Sequence, residues 1–158
     1  MPIYVQYAAL KGDVTAAGHE GWIEVNSCQW GVGRGISSPT GASADRESSA
    51  PSVSEIVVTK PTDIASTALF NESLQGEGVD CTIDFCKTDK GNLSVYLSYT
   101  LNNTMISGFS MSSGGDRPSE SLSFNFTKVL VRDIGLGAKN EDGGPATVGY
   151  DLALGNVM

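Results

Sequence analysis

The stretch Gly91–Gly115, GNLSVYLSYTLNNTMISGFSMSSGG, holds no Asp, Glu, Lys or Arg in 25 consecutive residues. Within it Leu93, Val95, Leu97, Tyr99 and Leu101 alternate with Ser94, Tyr96, Ser98 and Thr100. That two-residue period is the mark of a β-strand with one face toward a core. A solvated strand face ordinarily carries Lys and Glu, partly to prevent edge-to-edge pairing. A face of hydroxyls and one Tyr, without charge, more often meets another protein surface. Ser94, Tyr96, Ser98 and Thr100 are therefore the candidate subunit-interface residues.

The same period recurs on both sides. Upstream, Ile3, Val5 and Tyr7 alternate, and Val79, Cys81, Ile83 and Phe85 do so ahead of a turn at Asp89–Asn92. Between Gly21 and Gly33 the phase slips, with Ile23 and Val25 on one parity and Cys28, Trp30 and Val32 on the other. A bulge near Asn26-Ser27 is the expected repair. Val53–Lys60 reads as one strand. Downstream of a turn at Ser112–Pro118, Leu122, Phe124 and Phe126 share a parity, and Val129 and Val131 take the other, again predicting a bulge. A Gly-rich loop, Gly135–Pro145, precedes a last strand at Thr147–Leu154.

Two segments break the rhythm. Arg34–Ser52 is Ser, Gly, Ala, Pro and charge without a period, and long aperiodic connections are uncommon inside compact domains. It is expected to project as an extended loop. Asp63–Gln75 reads as a helix, with Pro61 before it, Thr62 or Asp63 as its cap, and Ile64, Ala65, Ala68, Leu69 and Leu74 as its apolar side. Seven or more strands and one short flanking helix predict a mainly β fold, a sandwich or barrel, as a single domain over residues 1–158.

Composition narrows the function. Eighteen acidic against ten basic residues give a net charge of −8 and a pI near 4.4, which argues against a nucleic-acid partner held through its phosphates. No apolar run approaches the ~18 residues of a membrane-spanning helix, and the N-terminus lacks the pattern of a Sec-type signal peptide. Three cysteines suggest no disulfide scaffold.

Catalytic chemistry is sparse. His19 is the only histidine, so histidine-based zinc sites and a Ser-His-Asp triad have little to work with. It reads as a surface side chain in a loop. Cys81 reads as core, Cys86 as pointing to the opposite face, and Cys28 as packed beside Trp30. Gly31-Val32-Gly33-Arg34-Gly35 opens no helix and is no phosphate loop. Asp80 and Asp84 share a strand face and read as solubilising charge. Four Asn-X-Ser/Thr sequons, at Asn71, Asn92, Asn102 and Asn125, are expected as chance in a Ser/Asn-rich chain. The expectation is no enzyme, no cofactor and no metal.

Four motifs in order resemble one family. They are Gly21-Trp22-Ile23-Glu24-Val25 running to Gln29-Trp30-Gly31; Ser54-Glu55-Ile56-Val57-Val58-Thr59-Lys60 followed by Asp63; Ser113–Val129, SGGDRPSESLSFNFTKV; and Thr147-Val148-Gly149-Tyr150-Asp151-Leu152. The sequence resembles the haemolysin-coregulated protein (Hcp) family, inner-tube subunits of bacterial type VI secretion systems. The resemblance implies a β-barrel of two sheets with a flanking helix, assembled into hexameric rings that stack into a hollow tube. It implies expulsion of that tube by a contracting sheath, together with a spike, and effectors carried and chaperoned in the lumen. It also implies residence in the bacterial cytoplasm before firing and release outside afterwards. On this reading the Arg34–Ser52 loop contacts the next ring, with Arg34, Arg46 and Glu47 as stacking residues. Ser27 and Gln29 are candidates for the lumen wall. The alternatives are a phage-like contractile-tail tube protein and a carbohydrate-binding β-sandwich.

Overall fold

The computed structural model describes residues 1–38, 40–41, 48–134 and 146–158. Its strands are β1 (Ile3–Tyr7), β2 (Ile23–Val25), β3 (Ser27–Gln29), β4 (Val32–Gly33), β5 (Ser52–Val53), β6 (Ile56–Pro61), β7 (Val79–Asp89), β8 (Asn92–Ser112), β9 (Ser119–Asn125), β10 (Lys128–Asp133), β11 (Ala146–Asp151) and β12 (Asn156–Val157). One helix, α1 (Ser66–Gln75), lies between β6 and β7.

The strands form two sheets that share β8. Sheet A runs β12-β11-β10-β8-β7-β1-β2, and sheet B runs β3-β6-β9-β8. The charge-free stretch is thus one 21-residue strand. Its first half pairs β7 and β10, and its second half pairs β9. The chain turns from one sheet to the other near Asn103, which takes a left-handed φ of 52°, a conformation Asn tolerates better than most residues. Gly78 passes so close to the Asn103 side chain that a Cβ there would collide with it.

The two expected bulges are crossings between sheets. β2 pairs β1 in sheet A, the chain breaks at Asn26, and β3 pairs β6 in sheet B. Likewise β9 lies in sheet B, the chain breaks at Phe126-Thr127, and β10 enters sheet A. A parity slip lets the chain keep apolar side chains inward while it moves to the opposite layer. A real bulge lies elsewhere, between Phe85 and Cys86 of β7 opposite Tyr96.

The core sits between the sheets. Tyr7, Val5, Ile83, Cys81 and Leu101 of sheet A face Ile56, Val58, Leu122 and Phe124 of sheet B. Tyr7 stacks on Phe124 with ring centroids 5.7 Å apart, and the Tyr7 hydroxyl donates to the Thr104 carbonyl. Burying each such side chain contributes roughly 1.5–3 kcal/mol.

Other expectations shift in detail. Val53–Lys60 divides into β5 and β6, and the last strand ends at Asp151 before a turn into β12. The helix begins at Ser66, three residues later than expected. Asp63 does support its start, its Oδ1 accepting from the Ala65 N–H at 3.0 Å. Leu69 and Ala65 face the core, but Ile64 and Leu74 are exposed. The turn at Asp89–Asn92 is a two-residue hairpin with φ positive at Lys90 and Gly91, which matches the twist of the flanking strands. The Gly135–Pro145 loop lies outside the described residues.

Candidate assembly surfaces

Sheet B has one face in the core and one outside. Strand register places Ser27, Thr59, Ser121 and Ser110 in one row across the outer face, and Gln29, Val57, Ser123 and Gly108 in the next. None is charged. The Ser27 and Thr59 hydroxyls lie 2.6 Å apart. At the margin Glu55 accepts a hydrogen bond from Ser107. Ser27 and Gln29, expected at a lumen wall, lie on this outer face. Sequence reasoning missed Thr59, Ser121, Ser123 and Ser110. The signal was present in Ser119-Glu120-Ser121-Leu122-Ser123-Phe124, where every second residue is Ser.

The inner face of the same sheet hides a polar cluster. Lys60 is fully buried, its Nζ donating to Glu120 Oε1 at 2.7 Å and lying 3.0 Å from Asp63 Oδ1. Ser66 donates to Glu120 Oε1 and Thr62 to Oε2. Burial alone would raise the Glu120 pKa, but hydrogen bonds from Lys60, Ser66 and Thr62 and the Lys60 charge outweigh it and hold the carboxyl below its ordinary value. The cluster ties β6, β9 and the start of α1 together.

The four residues expected at the lateral interface do not share one face. Cys86 pairs Val95 and Lys87 pairs Ser94 beyond the bulge, whereas Asp84 pairs Ser98 and Thr82 pairs Thr100 before it. Ser98 and Thr100 thus lie on the outer side of sheet A. Ser94 falls on the opposite side, and Tyr96 lies 6.5 Å from the Phe85 ring. All four are half-buried. The Ser94 hydroxyl has no hydrogen-bond partner among the described residues.

His19 is not on the surface. Residues 8–22 fold over the outer side of sheet A, and His19 is 7% exposed there. Its Nε2 lies 2.9 Å from Asp84 Oδ2, and Ser98 donates to Asp84 Oδ1 at 2.7 Å. The ring packs against Trp22 and Tyr4. Asp84 is therefore a buried partner and not a solubilising charge; only Asp80 remains exposed. The order Ser-Asp-His, with the carboxylate between hydroxyl and imidazole, differs from a catalytic triad, in which the imidazole faces the nucleophile.

Burial pushes the Cys28 and Cys86 thiols up to about 11, and that of Cys81 further. Among the described residues no three His, Cys, Asp or Glu side chains cluster as metal ligands. No described helix is long and apolar enough to cross a membrane.

Of the Arg34–Ser52 segment, the described residues beside the body form a two-stranded base. β4 pairs β5, and a further bridge joins Ile36 to Ser48. The Ser49 hydroxyl accepts from the Gly35 N–H. Arg34 is exposed on it; Arg46 and Glu47 lie outside the described residues. Between the arm base and strands β10–β12 opens an apolar groove of about 290 Å³, lined by Trp30, Val32, Val53, Val131, Val148 and Val157 among others.

Two sheets sharing a long strand and one short helix define a class of mainly β proteins with an open sandwich. The family model described as "Type VI secretion system effector, Hcp" matches residues 4–132. The chain belongs to that family, which is one of structural tube proteins and not of enzymes. Family membership implies secretion through the type VI system. Among solved structures, one described as a type six secretion system protein aligns over 99% of both chains at 23% identity with a TM-score of 0.89. Hcp1 from Salmonella typhimurium aligns over 99% of this chain and 98% of its own, at 22% identity and TM-score 0.77. A type VI secretion system effector from Yersinia pestis aligns over 94% and 98%, at 20% identity and TM-score 0.73. No curated protein matches the sequence.

Proposed function

We propose that this chain is the tube subunit of a bacterial type VI secretion system, acting by assembly as a single domain. Subunits join into hexameric rings, and rings stack into a hollow tube that sheath contraction expels behind its spike. The observation that carries the reading is the outer face of sheet B: two rows of uncharged residues, mostly hydroxyl and amide, bounded by two strand edges, β3 and the second half of β8, that pair with nothing among the described residues. A heterologous contact between unlike edges closes a ring when the rotation permits. That face then becomes the lumen wall.

A wall of Ser and Thr holds effectors through hydrogen bonds that water readily replaces, so cargo is chaperoned and released. The arm, with Arg34, Arg46 and Glu47, reaches the next ring. Of the four residues expected at lateral contacts, Tyr96 and Thr100 stay candidates, where a desolvated Lys or Glu would cost several kcal/mol. Ser98 is engaged by Asp84 within the chain, and Ser94 lies on the opposite side of the sheet. The protein resides in the cytoplasm until firing.

Light scattering on the purified protein tests the reading, with a mass near six copies expected and open-centred rings in negative stain. A monodisperse monomer at millimolar concentration overturns it.

A further inference from the structure

At the β8 edge of sheet B, α1 closes one mouth of the sandwich, and it does so with few anchors. Of its ten residues only Leu69 is buried, and Phe70 packs on Phe109 of β8 with ring centroids 5.7 Å apart. Phe70 and Leu74 remain exposed. The first turn holds no acidic residue, and Ala65 contributes no side-chain cap. A helix this short is marginal by itself.

Its start is fixed by the buried polar cluster. The Lys60 Nζ donates to Glu120 Oε1 at 2.7 Å and to Ser66 Oγ at 3.2 Å, and lies 3.0 Å from Asp63 Oδ1. Ser66 donates to Glu120 Oε1 at 2.9 Å and accepts from the Asp63 N–H at 3.0 Å. The side chains of Lys60, Asp63 and Glu120 are each 5% exposed or less. At the margin, Arg117 donates to the Thr62 carbonyl and lines a small cavity with Asp13, Glu24 and Asp63. From β8 the residue opposite Glu120 is Met111, which is uncharged.

Acid removes the negative half of this cluster. With both carboxyls protonated, the Lys60 ammonium stays buried without a counter-charge, and a buried unpaired charge is strongly destabilising. It reaches water by displacing whichever wall is held least. β6 and β9 are joined by a six-pair ladder from Ile56–Phe124 to Pro61–Ser119, whereas α1 shares no ladder with either sheet. The helix therefore yields first.

We propose that the Lys60–Glu120–Asp63 cluster is an acid-sensitive clasp that releases α1 from the mouth of the sandwich while both sheets stay paired. Release bares the seat of Leu69 and the Phe109 ring. The clasp lies within one chain, so it stands or falls independently of the tube reading.

Amide hydrogen exchange on the full chain tests it, with each rate divided by that of an unstructured chain at the same pH. The Glu120 carboxyl is held below its ordinary value of 4.5, so its contribution is present above that value and is lost as pH falls through the lowered one. Below pH 4.5, residues 66–75 should lose protection by about tenfold or more before β6 and β9 lose any. Glu120→Gln, neutral at every pH, should show a loosened helix over protected strands already at pH 7. Lys60→Met combined with Glu120→Leu leaves no buried ammonium and should keep most of its helix protection in acid. Helix and strands losing protection together, in acid or in Glu120→Gln, overturn the clasp. So does a Glu120→Gln helix as protected at pH 7 as that of wild type, or a double variant whose helix opens in acid as wild type does.

Discussion

The outer face of sheet A is roofed by the chain itself, whereas the outer face of sheet B is bare. Under the roof, Tyr4, Cys86, Leu93 and Val95 meet Val14 and Trp22, a second small core fixed by the buried His19–Asp84 pair. Across the sandwich, Ser27, Thr59, Ser121 and Ser110 face outward with no described segment folded over them. A face covered by its own chain becomes apolar and can hold a charge only beside a partner. A bare face stays polar, and here its two central rows carry no charge, Glu55 lying at the margin. That asymmetry is what the proposed lumen wall rests on, and an ordinary solvated sheet does not show it.

The largest break comes from the inner side of the bare sheet. Glu120→Ala leaves Lys60 buried without its closest carboxylate and is expected to cost about 3–5 kcal/mol, read from urea unfolding. Glu120→Leu combined with Lys60→Met should recover most of that loss. Acid probes the same pair. Because the folded Glu120 carboxyl lies below its ordinary value of 4.5, its stabilisation is fully present above that value and disappears as pH falls below it. Unfolding midpoints of wild type should drop over that window more than those of the Glu120→Leu/Lys60→Met protein; equal drops contradict the assignment.

The roof should yield next. Asp84→Ala strips both His19 and Ser98 of their partner, with an expected loss of about 1–3 kcal/mol. Amide hydrogen exchange should accelerate across residues 12–22 and stay unchanged in β6 and β9. The smallest effect belongs to the bare face. Ser121→Ala or Ser123→Ala should stay within about 0.5 kcal/mol of wild type, and a larger loss would mean that the face is structurally used by the monomer.

Much of this was legible in the chain. Period-two alternation located the strands because each has one face in a common core, as with Ile56 and Val58 or Leu122 and Phe124. The phase slips at Asn26 and at Phe126-Thr127 were visible as well, but their meaning was not. A bulge and a change of sheet produce the same one-residue shift, and only the identity of the pairing strand separates them. Leu93 and Val95 looked continuous with Tyr99 and Leu101 because the extra residue that parts them, Tyr96, shows only against the register of β7, a different segment. His19 looked exposed because its loop has the composition of a surface turn; its burial depends on Asp84, 65 residues away.

The sequence by itself determined the β character, the one helix, the absence of charge along β8 and, through four ordered motifs, the family. These are properties of local pattern, where the period of a strand or the chemistry of a turn acts within a few residues. The tertiary structure alone decided which face each strand end presents, that Lys60 and Asp84 are buried beside partners, and that α1 closes one mouth of the sandwich. Those depend on which distant strands become neighbours, and burial is a property of neighbours in space, not in the chain.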